Sequence, residues 1–272
     1  MKKQMVAHFT YLITKDLVET LENKYGLEMT NSLSSQIKKI ETEFVDKFWG
    51  VGRLPKTIDT CALDASMISA KLKKLLRGEP DFISLDRVYL PEAPRYLEAT
   101  RRTDPKTGNV ELTERPGTNP LAEQMNSFKS CKRVALADVG AFSGDTLLQI
   151  CNLFENRGIN VDRIYLGISN FDIGTKINGR KRLEVVAQFN FYEWIELRDI
   201  AGIDGRAVGM ENGTRTYIPY WENMKGWASI PKETAEDTAT LCKVFYSDLM
   251  RLIREEGLDI NKIGKPIKYE GE

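Results

Sequence analysis

Apolar residues Val6, Phe9, Ile13, Leu17 and Leu21 recur at three- and four-residue steps, and Tyr25-Gly26 closes the run. That spacing predicts an amphipathic helix with a glycine stop. Leu33, Ile37, Ile40, Phe44 and Phe48 repeat the pattern, with Asn31 or Ser32 placed as the N-cap, before Gly50, Gly52 and Pro55 break the chain. Residues 1–52 therefore read as a helical hairpin packed on the rest of the chain. Residues 1–50 are then the candidate surface for a homodimer or a protein partner.

From Lys56 the texture changes. Short apolar runs at 58–63, 82–90, 134–137 and 164–168 read as strands, and a helical pattern over 146–157 ends at Gly158 between the last two. Strand, helix, glycine and strand make a βαβ unit, which implies a parallel sheet with a right-handed crossover. The stretch 101–120 is polar and rich in Pro, Gly and Thr, and it reads as a long loop of the functional-lid kind. Beyond Phe171 comes a glycine-punctuated aromatic region. A last helix over 231–256 follows, with Leu241, Val244, Phe245, Leu249 and Leu252 on one face. The expected fold is α/β with a mostly parallel sheet at 53–175, an N-terminal helical region at 1–52 and a C-terminal α+β extension at 176–272.

Composition narrows the chemistry. The 272 residues carry 39 Lys+Arg and 39 Asp+Glu, so there is no basic excess to argue for nucleic acid or an anionic membrane surface. No apolar stretch reaches the roughly 18 residues of a membrane-spanning helix. The opening MKKQMVAHFTYLITKD has no small-residue cleavage site and returns to charge at Lys15 and Asp16, so no signal peptide is expected and the cytoplasm is the expected compartment. The one histidine, His8, reads as a surface or packing residue, which leaves no basis for a multi-histidine metal site. The four cysteines (61, 131, 151 and 242) are far apart and read as reduced thiols. Carboxylates, backbone amides, Lys/Arg and a divalent ion remain to carry any reaction.

One segment stands out: Arg133-Val-Ala-Leu-Ala-Asp138-Val-Gly140-Ala-Phe-Ser143-Gly144-Asp-Thr146-Leu-Leu. A buried strand ends at an acid, a small-residue loop turns, and a helix begins near Thr146. Loop amides and a helix N-terminus aimed at one point make an anion site suited to phosphate. Gly140 and Gly144 let the backbone approach a ligand, and the Ser143 and Thr146 hydroxyls add hydrogen bonds. Asp138 sits at the strand's carboxyl end, where open α/β sheets bind ligands, and can accept from sugar hydroxyls.

This segment resembles the fingerprint of type I phosphoribosyltransferases: an apolar strand, two acids, four loop residues, then Gly-any-Thr. The continuation is similar too, with Arg157-Gly158 and a further strand at 161–167. Residues 62–72 stand where the family's pyrophosphate loop leads into a helix, and 101–120 where its flexible catalytic loop lies. The resemblance implies that the protein binds phosphoribosyl pyrophosphate with Mg²⁺, or a nucleotide 5′-phosphate, and transfers phosphoribosyl to a nitrogenous base. It makes Asp138 the ribose and Mg²⁺ contact. It assigns the phosphate cradle to Asp138, Val139, Gly140, Ala141, Phe142, Ser143, Gly144, Asp145 and Thr146, and the pyrophosphate loop to Asp64, Ala65 and Ser66. Arg101 and Arg102, with Lys106 and Arg115, would close over the pyrophosphate. Val139 stands where the family has a second acid. A non-catalytic module of the same fold, sensing a nucleotide or phosphosugar, is therefore the accompanying reading. The segment is also similar to the first motif of S-adenosylmethionine-dependent methyltransferases, with Phe142 in place of that motif's central glycine.

Three further groups receive blander readings. Asp86-Arg87 and Arg95 are expected in surface ion pairs. Tyr217, Tyr220, Trp221 and Trp227 are expected to form a hydrophobic mini-core where the family builds a hood over the base. The run from Glu196 to Arg206 carries several charges beside glycines, with no role that the sequence assigns.

Overall fold

Tyr11, Leu12 and Ile13 are all fully buried, which one helical stripe cannot explain. In the computed structural model they lie on a strand, β1 (Phe9–Lys15), rather than on the first helix of a hairpin. The structure describes residues 9–103, 110–177, 181–204, 208–211, 214–222, 227–259 and 263. β1 is the middle strand of a three-stranded parallel sheet, between β2 (Ile58–Asp64) and β10 (Phe191–Glu196). A central parallel strand is covered on both faces, so it reads as a continuous apolar run. The four-residue steps through Phe9 and Ile13 pass over Tyr11 and Leu12, and those two decide the outcome.

After β1 come a short helix, α1 (Leu17–Glu19), continued by a π-turn over Thr20–Lys24, and the long helix α2 (Asn31–Gly52). Thr30 caps α2, its hydroxyl accepting from the Leu33 N–H at 3.1 Å. β2 leads into α3 (Ala65–Leu75) and a second sheet begins with β3 (Phe82–Ser84) and β4 (Arg95–Tyr96). The polar stretch read as a loop carries an antiparallel hairpin, β5 (Ala99–Thr103) and β6 (Val110–Glu114). Its tip, with Asp104 and Lys106, lies outside the described residues. Then follow α4 (Leu121–Gln124), β7 (Arg133–Ala141), α5 (Asp145–Glu155), β8 (Asn160–Asn170), α6 (Ile173–Lys176) and β9 (Arg182–Phe189). Only Asn190 separates β9 from β10. The chain closes with α7 (Leu197–Ala201), β11 (Val208–Glu211), β12 (Thr214–Tyr217) and α8 (Ala235–Glu255).

The expected α/β class with mostly parallel sheets is what is found. The second sheet has five parallel strands in the order β4-β3-β7-β8-β9, and a third, mixed sheet runs β12-β11-β5-β6. The first sheet draws one strand from each of the three stretches 1–52, 53–175 and 176–272. Those stretches are woven together at that sheet. Helices α2 and α8 cover one of its faces, where Phe44 stacks on Phe245 with ring centroids 4.2 Å apart. The residues assigned to a partner surface thus supply a central strand and a core helix. Val244, expected on the buried face of α8, is exposed instead. Among the described residues no helix is long and apolar enough to cross a membrane.

Candidate functional site

Strand alternation aims the key acid. Along β7, Val134 and Leu136 belong to the core packed with α5, whereas Ala135 and Ala137 pack on the α3 side. Asp138 continues the first series and Val139 the second. Val139 is buried in an apolar layer with Leu12, Ile68 and Ile168, between the first two sheets. At the carboxyl end of β7, Asp138 opens into a cavity of about 110 Å³. Val139 borders the cavity, but its side chain packs in that apolar layer, so a carboxylate in the second acidic position would be largely desolvated.

The end of β7 and the loop after it form the cavity's near wall. Gly140, Ala141, Phe142, Ser143, Gly144 and Thr146 all line it. Gly144 is the N-cap of α5 at φ +80°, a left-handed conformation that a side chain resists, and it turns the strand into the helix so that the amino end of α5 meets the cavity. Gly140 borders the cavity and also has a packing role. A Cβ there would meet the Ile168 carbonyl oxygen at 2.5 Å, so this glycine serves the close approach of β7 and β8. Lys176 braces the loop by donating from Nζ to the Ser143 carbonyl at 3.1 Å.

Asp138 is half-buried, and one carboxylate oxygen accepts from the Val139 N–H at 2.8 Å. Burial, helped by the nearby Asp86 carboxylate and opposed by Arg115, pushes its pKa up to about 7. An acid poised there can hold or release a proton near neutrality.

The far wall is ionic, and this is where sequence reading fell short. Asp86 is buried rather than on the surface, and Arg198 is 1% exposed. Arg198 donates from Nη1 and Nη2 to Asp86 (3.1 and 2.5 Å), from Nη2 to both oxygens of Glu196 (3.0 Å), and from Nη1 to Asp204 (3.1 Å). Its Nε lies 3.1 Å from Asp16. Arg115 lies 3.2 Å from Asp204, 3.6 Å from Glu98 and 4.0 Å from Asp86. Lys24 pairs with Asp204 and donates to the Tyr217 hydroxyl at 2.8 Å. Burial raises the Asp86 and Asp204 carboxyls, but the surrounding cations outweigh it and hold both below the ordinary range. For Asp16 and Glu196 burial outweighs Arg198, and both are raised.

Not every expected site residue reaches the cavity. Asp145 is exposed and outside its lining, and the Asp145 N–H donates to the Ser143 hydroxyl at 3.4 Å. Asp64, Ala65 and Ser66 are also absent from the lining. Asp64 pairs with Lys15 at 3.0 Å, Ala65 is fully buried and Ser66 is exposed, all at the edge strand of the first sheet and the start of α3. Arg101, on β5, does line the cavity. The backbone of Arg102 pairs with Glu111 and Val208, and its side chain, like that of Trp227, lies outside the described residues, as do His8 and Arg206. Tyr220 and Trp221 join the core under α8, as a mini-core would. The remaining lining residues, Leu85, Ala99, Thr100, Leu147, Ile150 and Trp194, carry no motif. Glu196 and Arg198 carried a signal only as charges beside glycines.

Among the described residues no three Asp, Glu, His or Cys side chains are grouped to hold a metal ion. Asp138 is the carboxylate this segment would offer to a Mg²⁺ ion.

No protein-family model matches the chain, and no curated protein matches it in sequence. Among solved structures it is similar to UMP synthase from Leishmania donovani, with a TM-score of 0.27 and 16% identity, covering 68% of this chain and 33% of that one. The chain thus spans about a third of the length of that protein.

Proposed function

We propose that the cavity takes phosphoribosyl pyrophosphate, with Mg²⁺ carried on its phosphates, or a nucleotide 5′-phosphate, and that the protein transfers phosphoribosyl to a nitrogenous base. One observation carries this reading. The carboxyl end of β7, the left-handed Gly144 and the amino end of α5 line the same cavity as Asp138 and Arg101. Backbone amides and Thr146 would receive the 5′-phosphate, and Asp138 the ribose hydroxyls. The bond from ribose C1 to pyrophosphate breaks as the acceptor nitrogen bonds to C1. Arg101 would meet the charge that develops on the departing pyrophosphate. The chemistry needs no protein nucleophile, only reactants held in line, and that suits a chain with one histidine.

A second reading rests on Val139. With hydrocarbon in the second acidic position, the fold would bind the ligand as a sensor without turnover. The methyltransferase reading is weaker, because the Phe142 ring packs on Phe191 at 5.6 Å where that motif needs bare backbone. Calorimetry with phosphoribosyl pyrophosphate and Mg²⁺, beside S-adenosylmethionine, separates these readings. Binding of S-adenosylmethionine alone would overturn the proposal. Binding of phosphoribosyl pyrophosphate without pyrophosphate release from any base would favour the sensor.

A further inference from the structure

A second cavity, of about 480 Å³, lies on the other side of α5. Leu148, Cys151, Asn152 and Glu155 line it and recur at three- and four-residue steps, so they share one face of the helix. Thr146, Leu147 and Ile150 line the first cavity instead. The volume falls within the roughly 300–1,000 Å³ usual for small-molecule sites. Ile159, Val161 and Ile177, each buried, back it with hydrocarbon.

Its polar side is rich in N–H donors. Lys176 and Lys181 line it, beside Asn152 and Asn160. Among the described residues neither of those two carboxamides has a hydrogen-bond partner. Lys181 is nine-tenths buried, with a side chain 10% exposed, while its partner Glu155 is 43% exposed. An ammonium so withdrawn from water is seldom left with one screened partner, and a ligand oxyanion in the cavity would complete its solvation.

Lys176 links this cavity to the first. Its ammonium pairs with Asp172 and donates to the Ser143 carbonyl, in the loop that borders the first cavity. One turn back along α6, Ile173 packs against Gly144, where an added Cβ would meet its Cδ1 at 3.0 Å. Helix α6 thus bears on the loop at two points while its carboxyl end borders the second cavity. We propose that the second cavity binds a small organic phosphate, with the phosphate between Lys176 and Lys181 and the carbon body on the apolar residues. Binding there draws Lys176 from Ser143 and loosens the loop. Two ammoniums match a dianion, and a contact shared by two sites is what couples them.

The test labels the full chain with pyridoxal 5′-phosphate, whose aldehyde condenses with a nearby lysine amine and releases water. Borohydride fixes the imine as an amine, and peptide mapping locates it. Lys181, which lines the second cavity alone, should be labelled ahead of Lys39, whose side chain is 76% exposed. Excess phenyl phosphate should protect Lys181 and leave Lys39 unaffected. In calorimetry, Lys181→Met should weaken phenyl phosphate by roughly tenfold or more, the worth of a hydrogen bond between charged groups. Glu155→Gln, which removes a competing carboxylate, should tighten it by about two- to fivefold. Amide hydrogen exchange over 143–146 should rise with phenyl phosphate in the wild type and not in Lys181→Met. Labelling in proportion to exposure, labelling of Lys176 without Lys181, or no protection by phenyl phosphate would overturn the site. Protection of Lys181 with unchanged or slower exchange over 143–146 would overturn the coupling.

Discussion

The ammonium of Lys176, at the end of α6, donates to the main-chain carbonyl of Ser143 at 3.1 Å, tying the crossover after β8 to the loop after β7. Lys176 also pairs with Asp172 at 3.2 Å and is partly exposed, so it contributes little to global stability. Its effect should fall on the loop. Lys176→Met is expected to leave the unfolding midpoint nearly unchanged while weakening binding of phosphoribosyl pyrophosphate by roughly two- to fivefold, the worth of a solvent-screened hydrogen bond. Calorimetry beside a urea melt separates the two effects.

The two glycines of the segment should respond differently. Gly144→Ala places a side chain at φ +80° and brings a methyl to 3.0 Å from Ile173 Cδ1, for an expected cost of about 1–2 kcal/mol. Gly140→Ala forces β7 away from the Ile168 carbonyl and the Trp194 ring, which a Cβ would meet at 2.5 and 3.1 Å. Overpacking of this kind costs about 1–3 kcal/mol and shifts the whole strand. Gly144→Ala should lose ligand affinity out of proportion to its loss of stability, and Gly140→Ala should lose both.

Arg198→Met removes the common partner of Asp16, Asp86, Glu196 and Asp204. Breaking one buried ion pair typically costs about 3–5 kcal/mol, and here four carboxylates lose their partner at once. Gross destabilisation in a urea melt is expected, relieved in part at acid pH as the stranded carboxylates take up protons. Among the described residues Arg251, on the exposed side of α8, pairs with Asp248 and Glu255. Its replacement by Ala should leave the midpoint where it was.

Glu41 gives a pH dependence of definite sign. It is buried on α2 and accepts from the Leu17 N–H at 2.9 Å, and burial pushes its pKa up to about 8 from an ordinary 4.5. Between those values the folded state holds a proton that the unfolded chain has released, so Glu41 lowers stability progressively as pH rises from about 4.5 to about 8. Glu41→Gln keeps the acceptor for Leu17 and removes the titration. Its stability relative to wild type should be unchanged below pH 4.5, rise through that window and level off above pH 8. Paired melts at pH 4, 6 and 9 check this.

Much of the cavity's near wall was legible in the sequence because it is local. A strand, an acid, a glycine that takes positive φ and a helix start follow one another within 133–147, and spacing along the chain determines where they point. The far wall was less legible because the short run holding Glu196, Arg198 and Asp204 meets Asp16 and Asp86, distant in sequence, only in three dimensions. A charge in sequence looks the same whether it ends at the surface or around a buried guanidinium. The N-terminus misled for another reason. The period-four steps run through Phe9, Ile13 and Leu17, but Phe9 is exposed and Leu17 begins α1; the consecutive buried run Tyr11-Leu12-Ile13 is the strand, held between partners distant in sequence at β2 and β10. Asp64, Ala65 and Ser66 were assigned by chain order, but β2 belongs to the first sheet rather than the second.

The phosphate cradle is tested most directly by titrating phosphoribosyl pyrophosphate with Mg²⁺ into the wild-type protein and into Thr146→Val. Thr146 lines the cavity in the first turn of α5, and under the proposal its hydroxyl would donate to the 5′-phosphate. Saturable binding to the wild type is expected, weakened by about 1–2 kcal/mol in the variant, the size of a hydrogen bond to a charged group. Absence of binding, or equal affinity of the two proteins, would contradict the assignment of this cavity to a phosphoribosyl ligand.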